Sequence, residues 1–370
     1  MTTNATAGPP ANPGRLDDLL KPEVLAAFDR ASFEREGYWV WEGILTEAGR
    51  ERFTASLSRL QQLNDDIIMA TDWGAIDYEA RGLEPPAPEE LGIEARQRTL
   101  GGCETVACLP GDGRGYMHEH GLFGPEPTLV TPGVESEGLM PEYWAAAYDD
   151  FILDVITAHP QMMELLGKLF EGRFLLDHLV LMNRAPGSRG RRWHGHPYRD
   201  GSCEVQDRVG DGSSLTKEYL RQQCIRTLCY PEGADDEHGG ELAVIPGSHL
   251  YRIPYKWDRD RSEGDAEMER DWLPGKIHAF TGEPLRIVHL QIPPGSMVSF
   301  VHHMPHFVSY RAPDAPVRWG LLMAYRTPDP NAGPEKWSEG VPAHWAERML
   351  AAGRLSPQAR RVFAGDNPVF

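Results

Sequence analysis

Two tight groups of histidine hold the densest chemistry in the sequence. His194-Gly195-His196 follows the turn-rich stretch 184–192, and on an extended strand residues i and i+2 face the same way, so both imidazoles can enter one pocket. Imidazole nitrogens suit divalent transition metals, but two from one strand need a further ligand from elsewhere in the chain. Val301-His302-His303-Met304-Pro305-His306 supplies the candidate: His306 as ligand, with His302 or His303 placed to orient it. Chance clustering is the plain alternative in a chain with 14 histidines. His118-Glu119-His120 also has metal-like spacing, yet it lies in an irregular stretch and reads as a solvated loop or a lid. His249, in a Pro-Gly-Ser-His turn, reads as structural.

The elements that must position these residues are short strands. Beyond Arg173 the chain breaks into brief apolar runs bounded by Gly and Pro, the pattern of a sandwich or barrel, with strands expected over 174–182, 224–230, 241–245, 285–292, 297–301 and 318–325. Ahead of them lie apolar residues at helical spacing over 23–29 and 46–63, with a strand-like Tyr38-Trp39-Val40-Trp41 between. Residues 141–171 predict two helices broken near Pro160, their Trp and Met stripe serving as core. The stretch 82–141, dense in Gly, Pro and Glu, predicts loops. The expected organisation is a disordered arm over 1–20, one domain over 21–328, and a helical tail over 329–370 packed on it.

Composition narrows the partners. With 55 acidic against 37 basic residues the formal net charge is -18, and no basic run is present to track phosphates, which excludes nucleic acid and disfavours anionic membranes. Five cysteines without a CxxC pair predict neither a disulfide framework nor a thiolate zinc site, so reduced thiols in a cytoplasm are expected. The N-terminus lacks the apolar core of a signal peptide, and no apolar run is long enough to span a bilayer. A small-molecule partner is left. Oligomeric state is not legible.

One stretch is specific. Gly239-Gly240-Glu241-Leu242-Ala243-Val244-Ile245-Pro246-Gly247-Ser248-His249 resembles the "N-G-x-L-x-V-I-P-G-S-H" strand and turn of the phytanoyl-CoA dioxygenase-like oxygenases. Trp193-His194-Gly195-His196 occupies the place of that family's Trp-His-x-Asp. Gly295-Ser296-Met297-Val298-Ser299-Phe300 resembles its Gly-Asp-x-x-x-Phe segment and leads to His306, and "REGYWVWEGILTEAG" resembles its opening. The resemblance runs from about Phe33 to Pro328; residues 82–141 and the tail have no counterpart.

The resemblance implies a double-stranded β-helix (jelly-roll, cupin-like), mainly β with flanking helices. It implies an enzyme in which Fe(II) is held by His194, His196 and His306, while Arg318, twelve positions after His306, and Ser309 bind the cosubstrate 2-oxoglutarate. A guanidinium suits that role because its fork pairs a carboxylate through two parallel hydrogen bonds; a surface strand Arg is the plain alternative. The implied reaction consumes O2, releases succinate and CO2 and oxidises a small organic substrate, with no catalytic side chain beyond the metal centre.

The sequence departs from the family at one position, because the family's third ligand is an Asp where this chain has His196. His196 as ligand, Asp200 or Glu204 as a replacement carboxylate, and a centre with two protein ligands all remain open. So do two other classes, a three-His dioxygenase that does not use 2-oxoglutarate and a non-catalytic jelly-roll binding protein. Substrate selection is expected in the loops over 82–141 and 256–281, where Tyr251, Tyr255, Trp257 and Trp272 form either an aromatic mouth or core cover.

Overall fold

The computed structural model describes residues 15–70, 149–170, 172–184, 191–195, 224–235, 237–251, 264–327, 359 and 362, with side chains for all of these except 60–70, 177–184 and 191–192. Among them, nine strands form two antiparallel sheets. In the larger, β1 (Tyr38–Trp41), β7 (Ser296–Val301), β4 (Cys224–Tyr230), β9 (Arg318–Arg326) and β2 (Leu175–Arg184) lie side by side in that order. In the smaller the order is β3 (Arg191–His194), β8 (His306–Val308), β5 (Leu242–Val244) and β6 (Val288–His289). From β2 to β9 the chain passes back and forth between the sheets, and only β5 and β6 are both consecutive and paired. This is a double-stranded β-helix, as the sequence implied.

Strand alternation divides the core into three layers. On β9, Leu322 and Ala324 face inward to meet Leu228, Leu242, Val244 and Phe300 between the sheets. Leu321, Met323 and Tyr325 face outward, where helices cover them. These helices are α1 (Pro22–Ala26), α2 (Arg30–Glu36), α3 (Glu47–Ala70), α4 (Asp150–Thr157) and α5 (Pro160–Phe170). Both faces of β9 are therefore dry, which accounts for its near-continuous apolar sequence. The Tyr325 hydroxyl donates to the Ile156 carbonyl at 2.6 Å and fixes β9 to α4. Asp149 caps α4 by accepting from the Phe151 and Ile152 amides and also pairs with Arg59 of α3. The third layer lies outside the smaller sheet, where Trp193, Ile245, Leu250 and Trp272 pack beneath α6 (Asp265–Asp271).

Several expectations are corrected. The arm expected over 1–20 is packed from Arg15 onward: Arg15 pairs with Asp154 at 2.7 Å, and Leu19 and Leu20 are fully buried, each burial worth about 2 kcal/mol. The helix expected over 23–29 ends at Ala26, and the Asp29 carboxylate accepts from the Ala31 amide to start a separate helix, α2. Tyr251 and Trp272 are buried core rather than a mouth, and the Tyr251 hydroxyl donates to the Ile277 carbonyl. Tyr255, Trp257, the loops over 82–141 and His118-Glu119-His120 lie outside the described residues. Of the tail, Ala359 and Val362 are described, and both are buried in the helix-side core.

Candidate metal centre

β3 and β8 are neighbours in the smaller sheet, with His194 and His306 as Cα partners. Alternation sorts their side chains. Trp193 and Phe307 stack on the outer face at 5.5 Å between ring centroids, and His194 and His306 meet on the inner face at 4.0 Å. The outer stack thus sets the direction of the inner pair. His306 is 3% exposed and packs against Phe300 at 4.8 Å. Its Nδ1 lies 2.9 Å from the Met304 carbonyl oxygen. A carbonyl can only accept, so Nδ1 carries the proton and Nε2 presents a lone pair. Arg226 on β4 agrees: its Nη1 stands 3.4 Å from Nε2, and a guanidinium can only donate. The neutral tautomer of His306, with Nε2 facing the interior, is the form that ligates a metal.

His302 and His303 are buried in the turn before β8, and the Met304 carbonyl supplies a bond that orients His306. His249 accords with its structural reading: its Nε2 lies 3.1 Å from the Glu34 carbonyl, and burial holds its pKa down at about 3. The turn before it needs glycine, because Gly247 has φ of 77° and a Cβ there would stand 2.6 Å from the His278 ring. His196, Asp200 and Glu204 lie outside the described residues. A surface group, Asp235, Glu237 and His238, brings three ligand atoms within 4.8 Å of one another, but two of its members are exposed and it is remote in kind from the buried pair.

Arg318 opens β9 on the inner face of the larger sheet, across from the histidine pair of the smaller sheet, and is 5% exposed. Its Nη2 donates to the Gly240 carbonyl at 2.7 Å, and its guanidinium lies 5.5 Å from the Tyr230 ring centre. Glu232 is near enough to feel this charge. Burial raises its pKa, and the opposing pull of Arg311 and Arg318 does not cancel that rise. His306 pairs with Val244, and Gly240 lies four residues before Val244, so Arg318 meets the smaller sheet at a different level from the histidine pair. Leu242 and Val244 belong to the apolar core between the sheets.

Ser309 meets Gly240 at its amide, as Arg318 does at its carbonyl. Its hydroxyl donates to Glu241 Oε2 at 2.6 Å and accepts from the Gly240 amide at 2.7 Å. Glu241 in turn meets His289 Nδ1 at 3.0 Å, His289 Nε2 meets Asp265 at 2.7 Å, and Asp265 accepts from the Trp193 indole at 3.3 Å. This chain runs along the outer side of the smaller sheet and ends on the residue beside His194. Burial alone would lower the His289 pKa, but a carboxylate on each ring nitrogen outweighs it and the pKa is raised.

Sequence reasoning overlooked Arg226, which is 6% exposed beside His306. A signal was present: Cys-Ile-Arg-Thr-Leu-Cys-Tyr is a buried strand interrupted by a single permanent charge.

No protein-family model matches the sequence, and no curated protein is similar to it. Solved structures do resemble the fold. One is EctD from S. alaskensis with 2-oxoglutarate and 5-hydroxyectoine, at 16% identity and a TM-score of 0.39, covering 84% of this chain and 83% of that one. Another is HygX from Streptomyces hygroscopicus with nickel, 2-oxoglutarate and hygromycin B, at 12% identity and 0.41, covering 83% and 88%. A third is SnoN, a non-heme alpha ketoglutarate dependent epimerase from nogalamycin biosynthesis, at 13% and 0.38, covering 83% and 84%. At these scores the likeness is loose, and the fold is defined by the strand order.

Proposed function

We propose that this chain is a non-haem Fe(II)- and 2-oxoglutarate-dependent oxygenase similar to the phytanoyl-CoA dioxygenase-like family, acting on a small organic substrate. The observation that carries the reading is the inward pairing of His194 with His306, with Arg318 facing inward from the opposite sheet. The donor set fits a divalent iron, because His306 is held in the tautomer that presents Nε2. His194 and His306 would hold the metal, with His196, or Asp200 or Glu204 in its place, completing the protein's share. When bound, iron and 2-oxoglutarate supply an oxidative decarboxylation that yields succinate and CO2 and drives oxidation of a substrate C–H bond.

This chain's own residues contribute position and dryness. Arg318 offers a fixed cationic fork for the distal carboxylate, with its orientation set by the Gly240 carbonyl. Leu242, Val244 and Phe300 exclude water from the space above it, which strengthens the charge pairing there. Met304 holds the His306 ring so that its Nε2 needs no reorientation on binding.

An anaerobic titration with Fe(II) and then 2-oxoglutarate tests the reading. A visible charge-transfer band is expected that disappears in Arg318→Ala and shifts in His196→Ala. Iron binding without the band would favour the three-His dioxygenase that does not use 2-oxoglutarate, a reading that His196 alone recommends. Absence of iron binding would leave a jelly-roll binding protein.

A further inference from the structure

The two anchors of the proposed site, Arg318 and His194, stand on different strands, and one chain of contacts joins them. Arg318 reaches the smaller sheet through the Gly240 carbonyl at 2.7 Å. Gly240 has φ of 79°, and in this left-handed conformation its amide meets the Ser309 hydroxyl while its carbonyl meets Arg318. The Ser309 hydroxyl donates to Glu241 at 2.6 Å, and the His289 ring meets Glu241 at 3.0 Å and Asp265 at 2.7 Å. The Trp193 indole donates to Asp265 at 3.3 Å, and the next residue is His194. His289 lies on β6, at one edge of the smaller sheet, and Trp193 on β3, at the other, so the chain crosses the whole outer face. The crossing braces the weaker joint of the sheet. β5 and β8 pair regularly over three residues, whereas β3 and β8 share two Cα pairs with an irregularity between them.

We infer that His289 is a positioning residue for the cosubstrate, setting the separation between the Arg318 anchor and His194 through Glu241 on one side and Asp265 on the other. The inference rests on the oxygenase reading. 2-Oxoglutarate must meet the metal with one end and Arg318 with the other, so the two ends of its site have to keep one distance. A misplacement of about 1 Å in such a site costs about 100-fold in rate. His289 suits the task because a planar ring with a carboxylate on each nitrogen cannot turn without breaking a contact at one end or the other. It lies on the outer face, in register with Ala243, whose side chain belongs to the outer core. It therefore acts through the groups it holds and not by touching the metal position or the cosubstrate.

The test uses the full chain under anaerobic conditions and reads Fe(II) affinity without 2-oxoglutarate, then 2-oxoglutarate affinity and the position of the charge-transfer band in the iron-saturated protein. His289→Ala is expected to weaken 2-oxoglutarate binding about three- to tenfold and to move the band. Glu241→Gln, made at the Arg318 end, is expected to weaken Fe(II) binding at the far end by a similar factor, and to add less than about twofold when His289→Ala is already present. Circular dichroism establishes that each variant is folded, and Asp265→Asn takes the place of His289→Ala in this cycle if the latter is not. A clasp that only stabilises β3 would lower the melting temperature of these variants while both affinities and the band stay at wild-type values, and that result overturns the inference. An effect of Glu241→Gln on Fe(II) that persists in full beside His289→Ala overturns it as well. If the wild type shows no band, the oxygenase reading has failed, and the Trp193 indole signal in the NMR spectrum of the metal-free protein decides the tether by itself. Glu241→Gln is expected to move that signal in the wild-type background and not beside His289→Ala, and a signal that stays in place in both overturns the tether.

Discussion

Arg318 donates a hydrogen bond to a backbone carbonyl, which sets the direction of its fork. Lysine at this position would keep the charge and lose the fork. Arg318→Lys is predicted to raise the dissociation constant for 2-oxoglutarate about 10- to 100-fold, or about 1.4–2.8 kcal/mol, with iron affinity within about threefold of wild type, as read from the same anaerobic titration. At this scale the sequence was informative where a motif existed. His194, His306 and Arg318 all face the interior. The Ser309 hydroxyl bonds Glu241, a contact that spacing at a strand end does not reveal. Arg226 lay in no motif at all. Its significance comes from Phe300 and His306 on other strands, which only the assembled barrel brings to it.

The strands that carry the histidines are the shortest in the site. β3 has four residues and β8 three, too few to support an apolar period, so no strand is expected at 306–308 from the sequence. By contrast β1 and β4 match their expected limits, since each is a continuous apolar or aromatic run between turns. Short strands need outside support. For β3 it comes from the Glu241–His289–Asp265 chain, which bonds the Trp193 indole and so the element bearing His194. A base with a raised folded pKa binds its proton more tightly in the folded protein. The clasp is therefore complete below the ordinary imidazole value of 6.5 and weakens as pH climbs through the raised value above it. Wild-type protein is predicted to lose melting temperature as pH rises above 6.5, and His289→Asn to lose that slope. The effect is modest, since His289 is one-third exposed and partly screened by solvent. An equal slope in both proteins would count against the clasp.

At the scale of the molecule the net charge is -18, while Arg318 is buried. Screening acts mainly on exposed charges, since salt shields them over about 10 Å at 0.1 M and buried ones far less. The on-rate of dianionic 2-oxoglutarate, followed by stopped flow, is predicted to rise when salt is increased from about 0.05 to 0.5 M, because the repulsive outer field collapses first. A falling on-rate would mean that a local positive field governs entry. The barrel as a whole was legible through its turn-bounded runs and the resemblance at 239–249, but its wiring was not, since nothing local encodes which strands will meet.

That wiring bears on synthesis as well as on chemistry. β1 waits for β7, β2 for β9 and β3 for β8, so as the chain leaves the ribosome its first three strands emerge long before their hydrogen-bonding neighbours exist. Pairing across such separations is slow, and unpaired strand edges invite association with other chains. The histidine pair closes late in this order, when the turn after β7 has delivered His306 to a strand made long before. Metal binding at the proposed centre would then report that synthesis has run past β8.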